Sequence, residues 1–240
     1  MSTARLAPDR VQANLVAVPR EYAAELADLC ARNPVPCPVV EQLDPGAFEP
    51  RCARGADLRT DLGRYRVWRD GALAERPHDV RALWSDDLVA FLIGCSFTFD
   101  HALAGAGLTP RHYALDRNVP MYGTTVPLAP AGRLHGTMVV SMRPYKPHEI
   151  ERVRDVTRPF RLMHGEPVAW GDPRALGITD IMRPDDGDPP VLEPDDVPVF
   201  WGCGVTPQRV VVASRLPFAI THEPGHMFVT GLRHDALAAR

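Results

Sequence analysis

The sequence has 240 residues, of which 45% are hydrophobic and 24% are charged, and these proportions are typical of a soluble globular protein. With 27 Lys and Arg against 30 Asp and Glu, the formal net charge is −3, which argues against nucleic-acid binding through overall positive charge. The 5 cysteines include no C-x-x-C pair, so we expect reduced thiols in the cytoplasm rather than disulfides or a structural zinc site. Neither a signal peptide nor a membrane-spanning segment is evident.

The first 107 residues are predicted to alternate helices, short strands and turns. Residues 1–13 are polar and rich in alanine, which indicates either a frayed start or a first helix. Apolar residues at helical spacing predict a helix over Arg20–Arg32, which closely spaced prolines then end. The pattern next predicts two strands and two helices, over Val39–Leu43, Tyr65–Arg69, Val80–Phe91 and His101–Gly107 respectively.

The segment from Leu88 to Asp100 carries the clearest site signal in this half. Residues 88–93 are uniformly apolar, which suits either a strand or a helix end buried on both faces. Gly94 then permits a close backbone approach, and four small polar residues follow, namely Cys95, Ser96, Thr98 and Asp100. Polar groups at the end of a rigid buried element are a common way to mount a binding site.

Strand-like segments dominate from about residue 119 onward. The predicted strands cover 134–142, 197–201 and 209–214. A crossover helix is predicted over Pro147–Phe160, because apolar residues recur there at helical spacing. Thr179–Asp196 is acidic and rich in proline, which predicts a solvated loop.

These patterns predict an α/β fold with two domains. The main α/β domain would comprise residues 1–118 and 217–240, and a smaller α/β domain would be inserted at 119–216. Interfaces between domains are favoured places for small-molecule sites, so we expect the site there.

Residues 222–226 have the letters H-E-x-x-H of zinc peptidases. That chemistry requires His222 and His226 on one face of a helix, and Pro224 with Gly225 between them disfavours a helix. The sequence instead predicts a Pro-Gly turn that brings the two histidines to a loop, where either could transfer protons. The alternative is that both histidines only bond backbone groups.

Two short cysteine motifs are further candidates. Gly202 and Gly204 flank Cys203, which would expose backbone amides able to stabilise an oxyanion, although a small buried cysteine is the alternative. The segment Gly94–Ser96 has half of a nucleophile elbow, but Thr98 replaces the second glycine of G-x-S-x-G, which disfavours a serine hydrolase. Glycine-rich phosphate loops are absent from the sequence.

Several longer motifs, in order along the chain, resemble the D-glutamate cyclase family. They are FLIGCSFTFD at 91–100, NVPMY at 118–122, VVSMRP at 139–144, His164-Gly165 with Pro167, PVFWGCGVTPQ at 198–208 and THEPGHMF at 221–228. The resemblance implies an α/β fold with an inserted α/β domain. It also implies hydro-lyase activity, because the characterised animal member converts D-glutamate into 5-oxo-D-proline and water.

The chain departs from the family pattern at several positions. Family members usually have arginine where this chain has Gly123 and asparagine where it has Thr125. They usually have alanine at Glu166 and Glu223, so the resemblance implies no catalytic role for these glutamates.

Cyclisation of glutamate needs a base, an acid and donors for an oxyanion. We therefore predict that His222, His226 and Cys203 form the catalytic group, with the histidines moving protons and the amides beside the cysteine binding oxygen. Arg143 would bind a second carboxylate, and Asp100 would hold the substrate ammonium or orient a histidine. The predicted substrate-binding set is Cys95, Ser96, Thr98, Asp100, Tyr122, Thr124, Arg143, His164, Thr206 and Gln208.

No cofactor, metal, nucleic acid or membrane is expected to take part, and the expected partner is a small-molecule acid. A homo-oligomer is left open by the sequence. Two other functions also stay open at this point: dehydration of another small acid by abstraction of an α-proton, and non-catalytic binding of small carboxylates.

Overall fold

The computed structural model describes residues 3–234, which form a mixed α/β architecture of two antiparallel sheets and several helices. Residues 1 and 2, at the start of the predicted N-terminal segment, lie outside this range, as do residues 235–240. None of the helices in the described part is long and apolar enough to cross a membrane.

The first sheet has seven strands and is built from both ends of the chain. Its order is β2 (Val39–Gln42), β5 (Leu88–Gly94), β1 (Arg10–Pro19), β10 (Phe218–His222), β3 (Tyr65–Arg69) and β4 (Ala72–Glu75), with β11 (Phe228–Arg233) also paired to β1. All these pairs are antiparallel, and the register places Leu15 opposite Leu92 and His222 opposite Tyr65. The predicted strands at 39–43 and 65–69 are thus confirmed.

The two central strands β1 and β5 correct two sequence predictions. The helix predicted over Val80–Phe91 is wrong, because β5 begins at Leu88 and all seven of its residues are buried. The helix considered within residues 1–13 is also wrong, since β1 begins at Arg10 and its eight inner residues are buried. Strands buried on both faces lack the alternation of polar and apolar residues by which strands are usually recognised.

The second sheet has four strands, all of which lie within residues 121–202. Its order is β6 (Met121–Pro127), β7 (Thr137–Tyr145), β9 (Val197–Gly202) and β8 (Ala169–Trp170). The strands predicted over 134–142 and 197–201 correspond to β7 and β9. Residues 179–196 form no helix or longer strand, as predicted, but Asp186 makes an isolated bridge with Met121.

Five α-helices lie among the described residues. They are α1 (Arg20–Arg32), α2 (Phe97–Gly105), α3 (Arg111–Ala114), α4 (Ile150–Thr157) and α5 (Thr206–Ala213). Helix α1 confirms the prediction, whereas the strand predicted at 209–214 is wrong because these residues continue α5. Helix α4 lies within the predicted 147–160 segment and connects β7 to β8. Both strands pair antiparallel with β9, which lies between them, so they run parallel to each other and α4 is a crossover helix as predicted.

One hydrophobic cluster joins the two sheets. It includes Val16 and Phe91 of the first sheet together with Val140 and Phe200 of the second. Burial of apolar surface contributes about 25 cal/mol per Å² to the free energy of folding, so the cluster shared by both sheets favours their packing against each other. The sheets therefore hold the loops at their ends in fixed relative positions, and these loops carry the polar residues singled out from the sequence.

Candidate functional site

Two of the motif loops meet at Asn14 on β1. The Asn14 side chain donates hydrogen bonds from Nδ2 to the carbonyl oxygens of Gly94, at 2.7 Å, and of Ile93, at 3.2 Å. A Cβ placed on Gly204 would lie only 2.0 Å from the same Nδ2 atom, so a residue without a side chain is needed there. The loop after β5 and the loop after β9 therefore pack directly together.

The thiols of these loops lie in an apolar environment. Cys95 and Cys203 belong to one buried cluster that also contains Met227, next to the H-E-P-G-H segment. Burial raises the pKa of both thiols, that of Cys203 to about 12, so both are protonated at neutral pH. The three motif loops thus converge at a point that is packed and apolar.

A buried ion pair joins α2 to the second sheet. Arg143 Nε donates to Asp100 Oδ1 at 2.7 Å, and both side chains are fully shielded from solvent. Arg143 also donates to the hydroxyls of Ser96 and Ser141, both at 3.1 Å. The other carboxylate oxygen of Asp100 lies 3.0 Å from His112 Nε2. Asp100 therefore bonds Arg143 and His112, a histidine outside the predicted set, and the Arg143 guanidinium is bonded within the protein.

Two histidines of the predicted set are buried and neutral. His222 Nδ1 donates to the carbonyl oxygen of Leu15 at 3.2 Å, and His164 Nδ1 donates to that of Val35 at 2.8 Å. Burial lowers the pKa of each imidazole to about 4. Within residues 3–234, Nε2 of each ring has no hydrogen-bond partner, so each could accept a proton there.

His226 lies in the loop between β10 and β11, in the predicted Pro-Gly turn. Residues 223–227 are not helical, and Gly225 has a φ of +94°, which only glycine adopts easily. The ring of His226 is half-buried against Gly63, and burial lowers its pKa. The two histidines of the H-E-x-x-H letters therefore lack the helical geometry of a zinc peptidase. No group of three His, Cys, Asp or Glu in the described range could hold a metal ion.

Four hydroxyls of the predicted set bond to the backbone. Thr98 Oγ1 accepts from the Gln12 amide, and Tyr122, Thr124 and Thr206 donate to carbonyl oxygens. These bonds position the loops, because buried polar groups need partners.

An open cavity of about 290 Å³ lies between β3 and α5. Its lining residues are Arg66, Trp68, Arg76, Asp185, Asp186, Val205, Gln208, Arg209 and Val212. Gln208, at the end of the P-V-F-W-G-C-G-V-T-P-Q motif, is the residue of the predicted set that lines it. The cavity is therefore beside the converging loops rather than at the thiols.

Arg66 is the centre of the polar network in this cavity. It donates to Glu223 at 2.7 Å, to Asp186 at 2.5 Å and to Gln208 Oε1 at 3.2 Å. Gln208 Nε2 in turn donates to the carbonyl oxygen of His222 at 3.0 Å. The network therefore joins the C-G-V-T-P-Q motif to the H-E-P-G-H segment.

Burial and Arg66 act in opposite directions on the two carboxylates. Burial raises the pKa of Asp186 in spite of the Arg66 charge, so this carboxylate binds a proton more readily than an exposed aspartate. Burial also favours the protonated form of Glu223, but bonds from Arg66 and Arg76 lower its pKa overall. The cavity thus places one carboxylate with raised proton affinity beside fixed guanidinium groups.

Sequence reasoning missed most of the cavity. Arg66 was visible only as a basic residue in an alternating strand, and Asp186 only as part of an acidic loop. These residues are 120 positions apart, and Arg66 is 157 positions from Glu223, so no local pattern connects them.

A family model and several full-length relatives both match this chain, and their descriptions agree. A family model described as D-glutamate cyclase matches residues 89–231. A Streptomyces coelicolor protein named "Putative hydro-lyase" is 55% identical over 97% of this chain and 84% of its own length. Proteins of the same description from Rhodococcus jostii (54% identity, 96% of this chain, 88% of theirs) and Cupriavidus necator (53%, 95% and 85%) are similarly close.

Proposed function

This chain belongs to the D-glutamate cyclase family, and on that premise we propose that it is a hydro-lyase acting on a small amino or organic acid. The cavity lined by Arg66, Gln208 and Asp186 is the proposed substrate site. The observation that carries this proposal is the combination, in one open cavity of about 290 Å³, of three guanidinium groups, two aspartates and a glutamine of the family-like motif. Guanidinium groups suit carboxylates, and an aspartate suits an ammonium group.

Cyclodehydration of D-glutamate to 5-oxo-D-proline is the proposed reaction. The amine must lose a proton before its nitrogen attacks the side-chain carboxyl carbon, and a C–O bond of that carboxyl group then breaks. Two protons leave the ammonium in total, and both end on the oxygen that departs as water. The reaction therefore needs a group that carries protons from nitrogen to oxygen, and donors for the negative oxygen of the tetrahedral intermediate.

Asp186 is the proposed proton carrier. It lines the cavity, and burial raises its pKa, so it can accept a proton from the ammonium and return it to the departing oxygen. Arg66 is the proposed donor to the negative oxygen through its second Nη1 N–H, because its other four N–H groups bond Glu223, Gln208 and Asp186 and hold the guanidinium in place.

The catalytic roles predicted for His222, His226 and Cys203 remain proposals. The free Nε2 of neutral His222 supports a role as proton acceptor, although the ring is fully buried. The ring of His226 is more exposed than that of His222, which supports access to a bound molecule. The amides beside Cys203 remain proposed oxyanion donors, although Cys203 itself is buried. The rates of turnover by His222→Ala, His226→Ala and Cys203→Ala test these roles one by one. A lowered rate supports a role for that residue, and unchanged rates in all three would leave catalysis to the cavity residues.

We propose further that residues 119–216 are a smaller domain inserted between 1–118 and 217–240. The four strands of the second sheet, all within 121–202, support this division, and the shared hydrophobic cluster implies tight packing between the two parts. A cytoplasmic location is also proposed, which the five free cysteines support.

Incubation of the purified protein with D-glutamate, L-glutamate and related small acids, followed by NMR, tests the function. Formation of 5-oxo-D-proline is expected, and Asp186→Asn should lower the rate by about 10²–10⁴-fold, the usual contribution of a proton carrier. Asp28→Asn, which alters an exposed carboxylate, is the control and should keep the wild-type rate. An unsaturated product would instead support dehydration by α-proton abstraction, and binding without turnover would support a non-catalytic carboxylate binder.

A further inference from the structure

Arg209 on α5 occupies the space beside Gly123 on β6. A Cβ placed on Gly123 would lie 2.3 Å from Arg209 Nη2 and 2.7 Å from its Cζ, so any larger residue at 123 would push the guanidinium away. Asp185 links the two residues, because its Oδ2 accepts one hydrogen bond from Arg209 Nη2 and one from the backbone N–H of Gly123, each at 2.7 Å. The guanidinium is thus fixed at the cavity wall by an aspartate and by a glycine that leaves room for it.

The guanidinium of Arg209 has unused donors. Across residues 3–234, its hydrogen bonds go to Asp185 through Nη2, which leaves Nε and Nη1 without a protein partner. Arg66, by contrast, uses Nε, Nη1 and Nη2 on Glu223, Gln208 and Asp186. Arg209 is 43% exposed and lines the cavity, so its remaining N–H groups are accessible to a molecule bound there.

We infer that Arg209 binds a carboxylate of the substrate and helps to determine specificity, with Gly123 providing the space that its guanidinium needs. The inference rests on the proposed function of the cavity. It identifies the substrate class as a small dicarboxylate, because Arg76 lines the same cavity and uses only Nε, on Glu223, within the described range. Two guanidinium groups with N–H groups left over suit two carboxylates.

Titration calorimetry with glutarate, a five-carbon dicarboxylate without an amine, tests this assignment. Arg209→Ala is expected to weaken glutarate binding by about tenfold to a hundredfold, the usual effect of losing a hydrogen bond to a charged group. Gly123→Ala should also weaken binding, because the new methyl group displaces the guanidinium. Arg32→Ala is the matched control, since Arg32 is a similarly exposed arginine paired with one aspartate, and it should bind glutarate as the wild type does.

A rescue variant separates recognition from structural effects. In Arg209→Ala with Gly123→Arg, a guanidinium reaches the same region from β6, and we expect much of the glutarate affinity to return. The urea midpoint of Arg209→Ala should match that of Arg32→Ala, because both ion pairs are exposed. If D-glutamate is turned over, Arg209→Ala should raise KM more than it lowers kcat.

The outcomes distinguish this inference from the proposed function. Equal glutarate affinities for wild type and Arg209→Ala would overturn the inference even if D-glutamate is turned over. Absence of glutarate binding by the wild type would also overturn it. Binding that depends on Arg209 without turnover of any acid would support the inference and contradict the proposed hydro-lyase activity.

Discussion

Replacing Asp100 by asparagine tests whether the buried pair with Arg143 holds the fold. The side chain keeps its shape but loses its charge, and the guanidinium between Phe99 and Trp201 is left in the core without a counter-ion. Removing one partner of a buried pair typically costs about 3–5 kcal/mol. The free energy of unfolding should therefore fall by about that amount, since both side chains have 0% relative exposure and Asp100 also serves His112.

Urea denaturation followed by tryptophan fluorescence measures this loss. With a slope of about 3 kcal/mol per M, a loss of about 3–5 kcal/mol lowers the midpoint by about 1–1.7 M. Asp28→Asn is the control, because this aspartate forms an exposed pair with Arg32 on α1 and should change stability by less than about 0.5 kcal/mol.

A double variant checks the physical reason. Arg143→Met added to Asp100→Asn removes the uncompensated charge, so it should recover much of the lost stability. A loss below about 1 kcal/mol for Asp100→Asn alone would refute the reasoning. It would mean that the Arg143 charge is compensated elsewhere, and a substrate-binding role for both residues would regain support.

Three further predictions concern glycine packing, acid stability and thiol reactivity. Gly94→Ala should prevent stable folding, because its Cβ would lie 1.7 Å from the Leu162 carbonyl oxygen. The control Gly105→Ala places its Cβ where nothing lies within 4 Å, so thermal unfolding should show unchanged or higher stability for it. The free energy of unfolding should be highest above pH 6.5 and fall towards pH 4, because only the unfolded chain then protonates His164 and His222. Each histidine accounts for about 3 kcal/mol of this loss, so urea unfolding of His164→Gln should show a weaker pH dependence. Iodoacetamide at pH 8 should modify Cys203 far more slowly in native protein than in urea, because burial raises its pKa to about 12; equal rates would contradict this.

Local patterns predicted the elements that have a polar and an apolar face. Helix α1 matches its predicted bounds because its buried residues recur at helical spacing and prolines follow. Strand β1 was missed, and a strand at β5 was only one of two alternatives, because burial on both faces removes any alternation. Helix α5 was mistaken for a strand because three consecutive valines favour strands, while its proline in the first turn is a helix start signal.

The predicted site residues stay a prediction, but two of the motifs that carry them are in contact. Gln208 of the C-G-V-T-P-Q motif donates to the carbonyl oxygen of His222 in the H-E-P-G-H segment. Arg66, Asp186 and Arg209 could not be predicted, because their association depends on how the two sheets pack. The acidic loop was predicted to be solvated, yet Asp186 is largely buried by its bond to Arg66.

A crystal structure with glutarate or 5-oxo-D-proline bound tests the location of the site most directly. We predict electron density for the acid in the cavity between β3 and α5, within hydrogen-bond distance of Arg66, Gln208 or Arg209. Density instead at the buried Asp100 and Arg143 pair, or on a surface away from α5, would contradict the assignment of this cavity as the substrate site.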